Sequence, residues 1–429
     1  MINISLKFTV FAVLLSLPAF SFPTHAQAHD SFQLLSASGA GVKAYADLLK
    51  DLDSRITSLQ RRAAKAPGDW PTREHLASLL LEKAQLTGDV NDFAAIQHVL
   101  DEAFAIAPEG SGPMLVAARF NYSIHRLNQA EKYLDRMEHR AALHSDEPLA
   151  ILIARSDINY HRGEYEKALS GYRRCEAASP GLCVTQLANF YSHTGGTSEA
   201  AALLYEALSL ADAKDIQQRA WFKLQLGILA MQGGKYDEAR KALADAENIL
   251  PGWWLVSERS AQLLTLEGKW EEASALYNDV LRQTNLPQHM DALAGCYQHL
   301  GKAAEAEKLI AKAGEVWQEQ LKTFPENASG HALDHFLRFG ADAKQAVDIA
   351  EQNFKTRPGG EARVYLAQSY LKANRLQDAR AMIETVMQTP FSSAELHDTA
   401  RRAYEALGEQ QKAEEQGALC LEVNPNYRS

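Results

Sequence analysis

Lysine and arginine are outnumbered in this chain, 44 against 54 aspartates and glutamates, which leaves a formal net charge of −10 with neutral histidines. A surface of that sign repels phosphate backbones and anionic lipid, so neither nucleic acid nor a membrane surface is an expected partner. Cysteine is rarer still. Four cysteines in 429 residues cannot staple a fold of this size, which must rest on its hydrophobic core. The local motifs that organise chemistry are missing as well: there is no phosphate-binding P-loop, no G-x-G-x-x-G, no G-x-S-x-G and no C-x-x-C, so a non-enzymatic role is expected. Past the N-terminus no apolar run approaches the roughly 18 residues of a membrane-spanning helix. Disorder is excluded too, because 46% hydrophobic and 23% charged residues suit a chain that buries a large core.

The N-terminus reads as a leader. Lys7 ends a short basic region, Phe8 to Phe22 is almost unbroken apolar sequence, and Ala26-Gln27-Ala28 follows. Basic, apolar, then A-x-A is the order of a secretory signal peptide, with cleavage expected after Ala28 and a periplasmic or secreted destination. An uncleaved anchor is the alternative, although Pro18 and the A-x-A site fit processing better. No cysteine stands near the junction to carry a lipid. Cys175 and Cys183 bracket a Pro180-Gly181 turn and could bridge two helices if their Cα atoms come within about 7 Å. The alternative is that all four cysteines, including Cys296 and Cys420, are small buried residues.

A repeat runs through the rest. Leu226-Gly227, Gly233-Gly234-Lys235-Tyr236-Asp237-Glu238-Ala239 and Pro251 spell a helix, a tight turn, a second helix and a stop. The phrase returns as Gly163-Glu164-Tyr165-Glu166-Lys167-Ala168 with Tyr172 and Pro180, as Gly268-Lys269-Trp270-Glu271-Glu272-Ala273 with Tyr277, and as Gly301-Lys302 with Ala306. Weaker copies surround Gly195-Gly196 with Tyr205, Asn374 and Gly408. Aligned on Ala168, Ala201, Ala239, Ala273, Ala306, Ala346, Ala379 and Ala413, the spacings are 33, 38, 34, 33, 40, 33 and 34. The spacings of 38 and 40 place insertions, and bends in the stack, near Leu210 to Gln217 and Lys322 to Asn327.

A period near 34 with small residue, aromatic, turn glycine, alanine and closing proline resembles the tetratricopeptide repeat. The resemblance implies an all-α fold, a right-handed α-solenoid of stacked antiparallel helical hairpins. It divides the chain into a leader (1–28), an N-terminal capping helix region (29–69) and a solenoid of about ten hairpins (70–429). The first two hairpins are divergent, with Gly88-Asp89-Val90-Asn91-Asp92 in place of the short turn of the first and Asn128 near that of the second. Leu48, Leu49, Leu52, Ile56 and Leu59 give the cap one apolar face.

In that family the first helix of each hairpin lines a concave groove that holds a partner. Carried onto this chain, the groove includes Tyr160, Phe190, His193, Trp221, Leu255, Gln262, Gln298 and Arg402, with a protein or peptide as the expected occupant. Of the pair Trp253-Trp254, one is expected in the core and the other beside Trp221 and Leu255 as an apolar shelf. One constellation stands apart. His331 and His335 lie four residues apart, on one face of a helix, the spacing that lets two imidazoles share a metal. Ala332 stands where a zinc protease needs its glutamate. With Glu258 and Asp291 from neighbouring hairpins, the pair would form a polar patch suited to zinc, copper or nickel. Two readings follow: an envelope scaffold or adaptor with no cofactor, or a metal- or small-ligand-binding accessory protein.

Overall fold

The computed structural model describes residues 43–140 and 147–428, so the leader assigned to residues 1–28 lies outside it. The described residues contain 21 helices and no strand. A single helix, α1 (Tyr45–Lys65), precedes ten hairpins. The first five are α2 (Trp70–Thr87) with α3 (Asp92–Ile106), α4 (Met114–Ser123) with α5 (Leu127–Glu138), α6 (Glu147–His161) with α7 (Tyr165–Ala178), α8 (Val184–Ser192) with α9 (Thr197–Leu210), and α10 (Ile216–Gln232) with α11 (Tyr236–Ile249). The other five are α12 (Trp254–Leu266) with α13 (Trp270–Thr284), α14 (Pro287–His299) with α15 (Ala303–Thr323), α16 (Pro325–Arg338) with α17 (Ala343–Thr356), α18 (Gly360–Lys372) with α19 (Leu376–Met387), and α20 (Ala394–Ala406) with α21 (Gln410–Val423). Consecutive helices pack on one another except α3 and α4, where α2 meets α4 instead. The architecture is the all-α solenoid of helical hairpins that the repeat predicts.

One turn motif builds most hairpins. A residue in the left-handed region ends the first helix, and the next amide donates back five residues: Glu164 N to Asn159 O at 2.8 Å, Lys235 N to Ala230 O at 2.8 Å, Lys269 N to Leu264 O at 2.9 Å and Glu409 N to Tyr404 O at 2.9 Å. This is the Schellman arrangement, which satisfies carbonyls that the helix end would otherwise orphan. In the second hairpin the left-handed position belongs to His125 (φ 62°), not to Asn128. An imidazole there is strained relative to glycine, and something must hold it.

Four residues beyond each cap an alanine is buried where the two helices cross: Ala168, Ala239, Ala273, Ala346 and Ala379 are all 0% exposed. The alignment at α9 needs correcting by one residue. Ala200 is the fully buried alanine, Leu204 points inward, and Tyr205 is 58% exposed. The cause is Gly196, which rather than a residue further on caps the helix and so sets its rotation. Tyr172 and Tyr277 are buried as expected. The long spacing of 40 is absorbed by α15, which runs for 21 residues. Trp253 and Trp254 are both core, at 1% and 3% exposure, so the apolar shelf does not form. Cys175 and Cys183 are joined as a disulfide with Cα atoms 6.2 Å apart, while Cys296 and Cys420 are buried and free.

The stack closes on itself. Contacts recur between residues 168 to 232 positions apart, which is roughly six repeats of about 34 residues. Tyr45 N donates to Pro251 O at 3.1 Å, Trp254 Nε1 to Leu86 O at 2.8 Å, Gly360 N to Tyr165 Oη at 2.7 Å, Ser392 N to His193 O at 2.9 Å and Asn426 Nδ2 to Gly234 O at 2.8 Å. Phe93 meets Phe324 edge to face at 5.6 Å, and Arg126 Nε lies 3.3 Å from Glu326. In most of these contacts the turn of an early hairpin receives the start of a later one, while the start of α1 and the residues after α21 make the contacts at the two ends. The second turn of the superhelix therefore sits directly on the first, along one continuous seam.

Candidate functional site

The seam is polar where α4, α6, α16 and α18 meet. Arg357, just after α17, donates from Nη1 to His125 Nε2 at 3.1 Å and from Nε to Asn353 Oδ1 at 2.8 Å. That contact makes Nδ1 the protonated nitrogen of His125, and this atom is buried with no hydrogen-bond partner among the described residues. It also explains how an imidazole keeps the left-handed turn. The rings of His161 and His331 lie 5.9 Å and 6.3 Å from that of His125, and His161 Nε2 is 3.0 Å from Tyr122 Oη.

Burial, reinforced by the Arg357 guanidinium, pushes His161 down to about 3 and His331 down to about 4, and holds His125 well below its usual range. All three are neutral at pH 7. Nearby, Asp157 accepts from Tyr172 Oη at 2.7 Å, and burial pushes its carboxyl up to about 7.

The four proposed metal ligands do not converge. Asp291 accepts from Trp317 Nε1 at 3.0 Å and meets His335 Nδ1 at 2.7 Å, which forms a closed pair in the core. The His335 ring is walled by Phe336, Phe339 and the backbone of Gly314. His331 turns instead toward His125 across the seam. Glu258 pairs with Arg259 at 3.1 Å on its own helix. Among the described residues no three His, Cys, Asp or Glu side chains form a metal-holding group. Four-residue spacing placed both histidines on α16, but their environments one helical turn apart are different.

The expected groove is also largely filled. Tyr160, Phe190, Trp221, Leu255 and Gln262 are buried. Of the predicted row, His193 and Arg402 are half-buried and only Gln298 is exposed. The reason is the seam, because a superhelix whose turns touch consumes the inner faces that an open one displays.

A cavity of about 90 Å³ lies along the seam. Its walls come from both turns: Ser192, His193 and Gln232 from the first, and Glu361, Tyr365, Gln368, Phe391 and Glu395 from the second. His193 and Phe391 stack at 6.3 Å with their planes 24° apart. Sequence reasoning found His193 alone among these. A histidine at the turn position that carries glycine elsewhere was the one visible sign of His125; nothing local marks Arg357 or Glu361.

No family model matches the chain. Over 203 residues it is 24% identical to Cellulose synthase operon protein C of Pseudomonas fluorescens (strain SBW25). The likeness is partial. It covers 46% of this chain and 16% of the relative, so the chain spans far less than the length of the protein it matches. No helix among the described residues is long and apolar enough to cross a membrane.

Proposed function

We propose that this chain is a non-enzymatic scaffold of the bacterial cell envelope, exported by its N-terminal leader, that holds a protein partner against the two-turn solenoid. The observation that carries the reading is the stack of ten hairpins, since such stacks offer long repetitive surfaces fixed by nearest-neighbour packing. Likeness to part of a protein named for a cellulose synthase operon supports service within a larger assembly. The contact surface is not the first-helix row that a loosely wound repeat would use. It consists of what the seam leaves accessible, including Gln298, His193 and Arg402. The acidic balance of the chain favours a basic partner face.

The test is capture from an envelope extract with photo-crosslinking residues placed at Gln298 and Arg402 and, as a control, at the exposed Lys344 at the start of α17. Cross-linking of one protein species from the first two positions and not from Lys344 supports the scaffold. Absence of any position-dependent product, with the chain folded, contradicts it.

A further inference from the structure

The seam cavity is acidic, its carboxylates standing in the first turns of α18 and α20. Two carboxylates, Glu361 and Glu395, line it, and none of its lining residues is lysine or arginine. Glu361 opens α18. It is half-buried and makes no hydrogen bond or ion pair among the described residues. A carboxylate placed in a cavity wall without a cation is costly unless solvent or a ligand completes it. Around it, Gln368 commits Nε2 to Thr399 Oγ1 at 3.1 Å, which leaves its carbonyl as an acceptor. Phe391, buried between His193 and the backbone of Gly360, closes the apolar side of the cavity. A volume of about 90 Å³ exceeds the roughly 10–15 Å³ that one water needs, so a group of several heavy atoms fits.

We propose that this cavity binds the cationic end of a lysine or arginine side chain presented by a partner protein, with Glu361 as the counter-ion. The inference deepens the scaffold reading. Because its probes are small molecules, its failure would leave the cross-linking test of that reading standing. Since the walls come from both superhelical turns, the bound side chain clamps the seam shut, and ligand and closure stabilise each other.

The experiment titrates the purified chain, at low ionic strength, with Nα-acetyl-lysine methylamide and Nα-acetyl-arginine methylamide by calorimetry. The citrulline analogue, a neutral match for arginine, and cellobiose serve as comparisons. The expected result is saturable binding of a basic probe, weakened about tenfold or more for citrulline and for the Glu361→Gln chain, and weakened by salt. Thr197→Arg, an exposed change at the cavity rim, supplies an internal cation and is expected to block the same probe without disturbing the fold. Equal binding of citrulline, binding of cellobiose in place of the basic probes, undiminished binding by Glu361→Gln, or no saturation by either basic probe would each overturn the assignment.

Discussion

Acidification should open the seam before it melts the rest of the solenoid. An unfolded imidazole titrates near 6.5, whereas His161 and His331 titrate at about 3 and about 4, and His125 lies well below its usual value. The sign follows from proton uptake. Below pH 6.5 the unfolded chain binds protons that the folded chain refuses, so stability present above 6.5 is lost as the pH falls toward the folded values. At pH 5 the deficit is roughly 1.5 pH units at about 1.36 kcal/mol each, or about 2 kcal/mol for each of His161 and His331 and about 4 kcal/mol for the two, with His125 acting in the same direction. Asp157 acts the other way. Its carboxyl, raised to about 7, stays protonated in the folded chain while the unfolded one ionises, so acidification from pH 7 to pH 5 returns about 2 kcal/mol. A net loss of about 2 kcal/mol from these groups, to which His125 adds in the same direction, is a sizeable share of the whole stability of many domains, about 5–15 kcal/mol.

A melting curve alone would hide this effect. Burial also raises Glu74 and Glu82 on α2 to about 7, and these groups stabilise the N-terminal hairpin on acidification by the same argument. The assay is therefore hydrogen exchange resolved by segment, at pH 7 and pH 5, corrected for intrinsic rates. The amides of Gly360 and Ser392, which bond across the seam to Tyr165 Oη and His193 O, should lose protection by a factor of roughly 10 to 10². Amides inside α10 and α11 should lose far less. Unchanged protection at Gly360 and Ser392, or an identical pH response in a His161→Gln/His331→Gln chain, would refute the reasoning.

Other consequences can be checked by denaturant unfolding. Gly234→Ala should cost about 2 kcal/mol, because a left-handed residue (φ 70°) gains a Cβ only 2.5 Å from Asn424 Oδ1; Asn424→Ala should recover the steric part and not the conformational part. Trp254→Phe should cost about 1–2 kcal/mol by removing the indole donor to Leu86 O, and an Nε1 proton signal that exchanges rapidly in the native chain would contradict that bond. Ala200→Leu should destabilise by about 1–3 kcal/mol through overpacking, whereas Tyr205→Ala should change stability by no more than about 0.5 kcal/mol; the reverse order would restore the uncorrected alignment of α9.

The repeat made the hairpins legible because each one is a local object. Turn glycine, crossing alanine and closing proline lie within about 34 residues of one another, and their spacing alone placed Ala168, Ala239, Ala273 and Ala379 at helix crossings. At α9 two glycines in a row left the cap ambiguous by one residue, and a shift of one rotates a helix by about 100°, enough to expose Tyr205. The site was less legible for a different reason. How tightly a solenoid winds depends on small rotations summed over many repeats, and no residue announces them. Without the closed seam, Tyr160 and Trp221 read as groove residues, and His331 reads as the partner of His335. With it, His331 belongs with His125 and Arg357, the latter pair joined over 232 positions of sequence.

The contact of one superhelical turn with the next is the claim on which the site depends. Arg126 and Glu326, paired at 3.3 Å across the seam and each about 30% exposed, offer the most direct measurement of it. Cysteines placed at both positions should be joined within one chain by a short bismaleimide, in high yield and at native stability, while Cys296 and Cys420 stay protected by burial. If each thiol reacts singly with a monofunctional maleimide but no intramolecular link forms, the turns stand apart, and the seam, its histidines and its cavity are not features of the protein in solution.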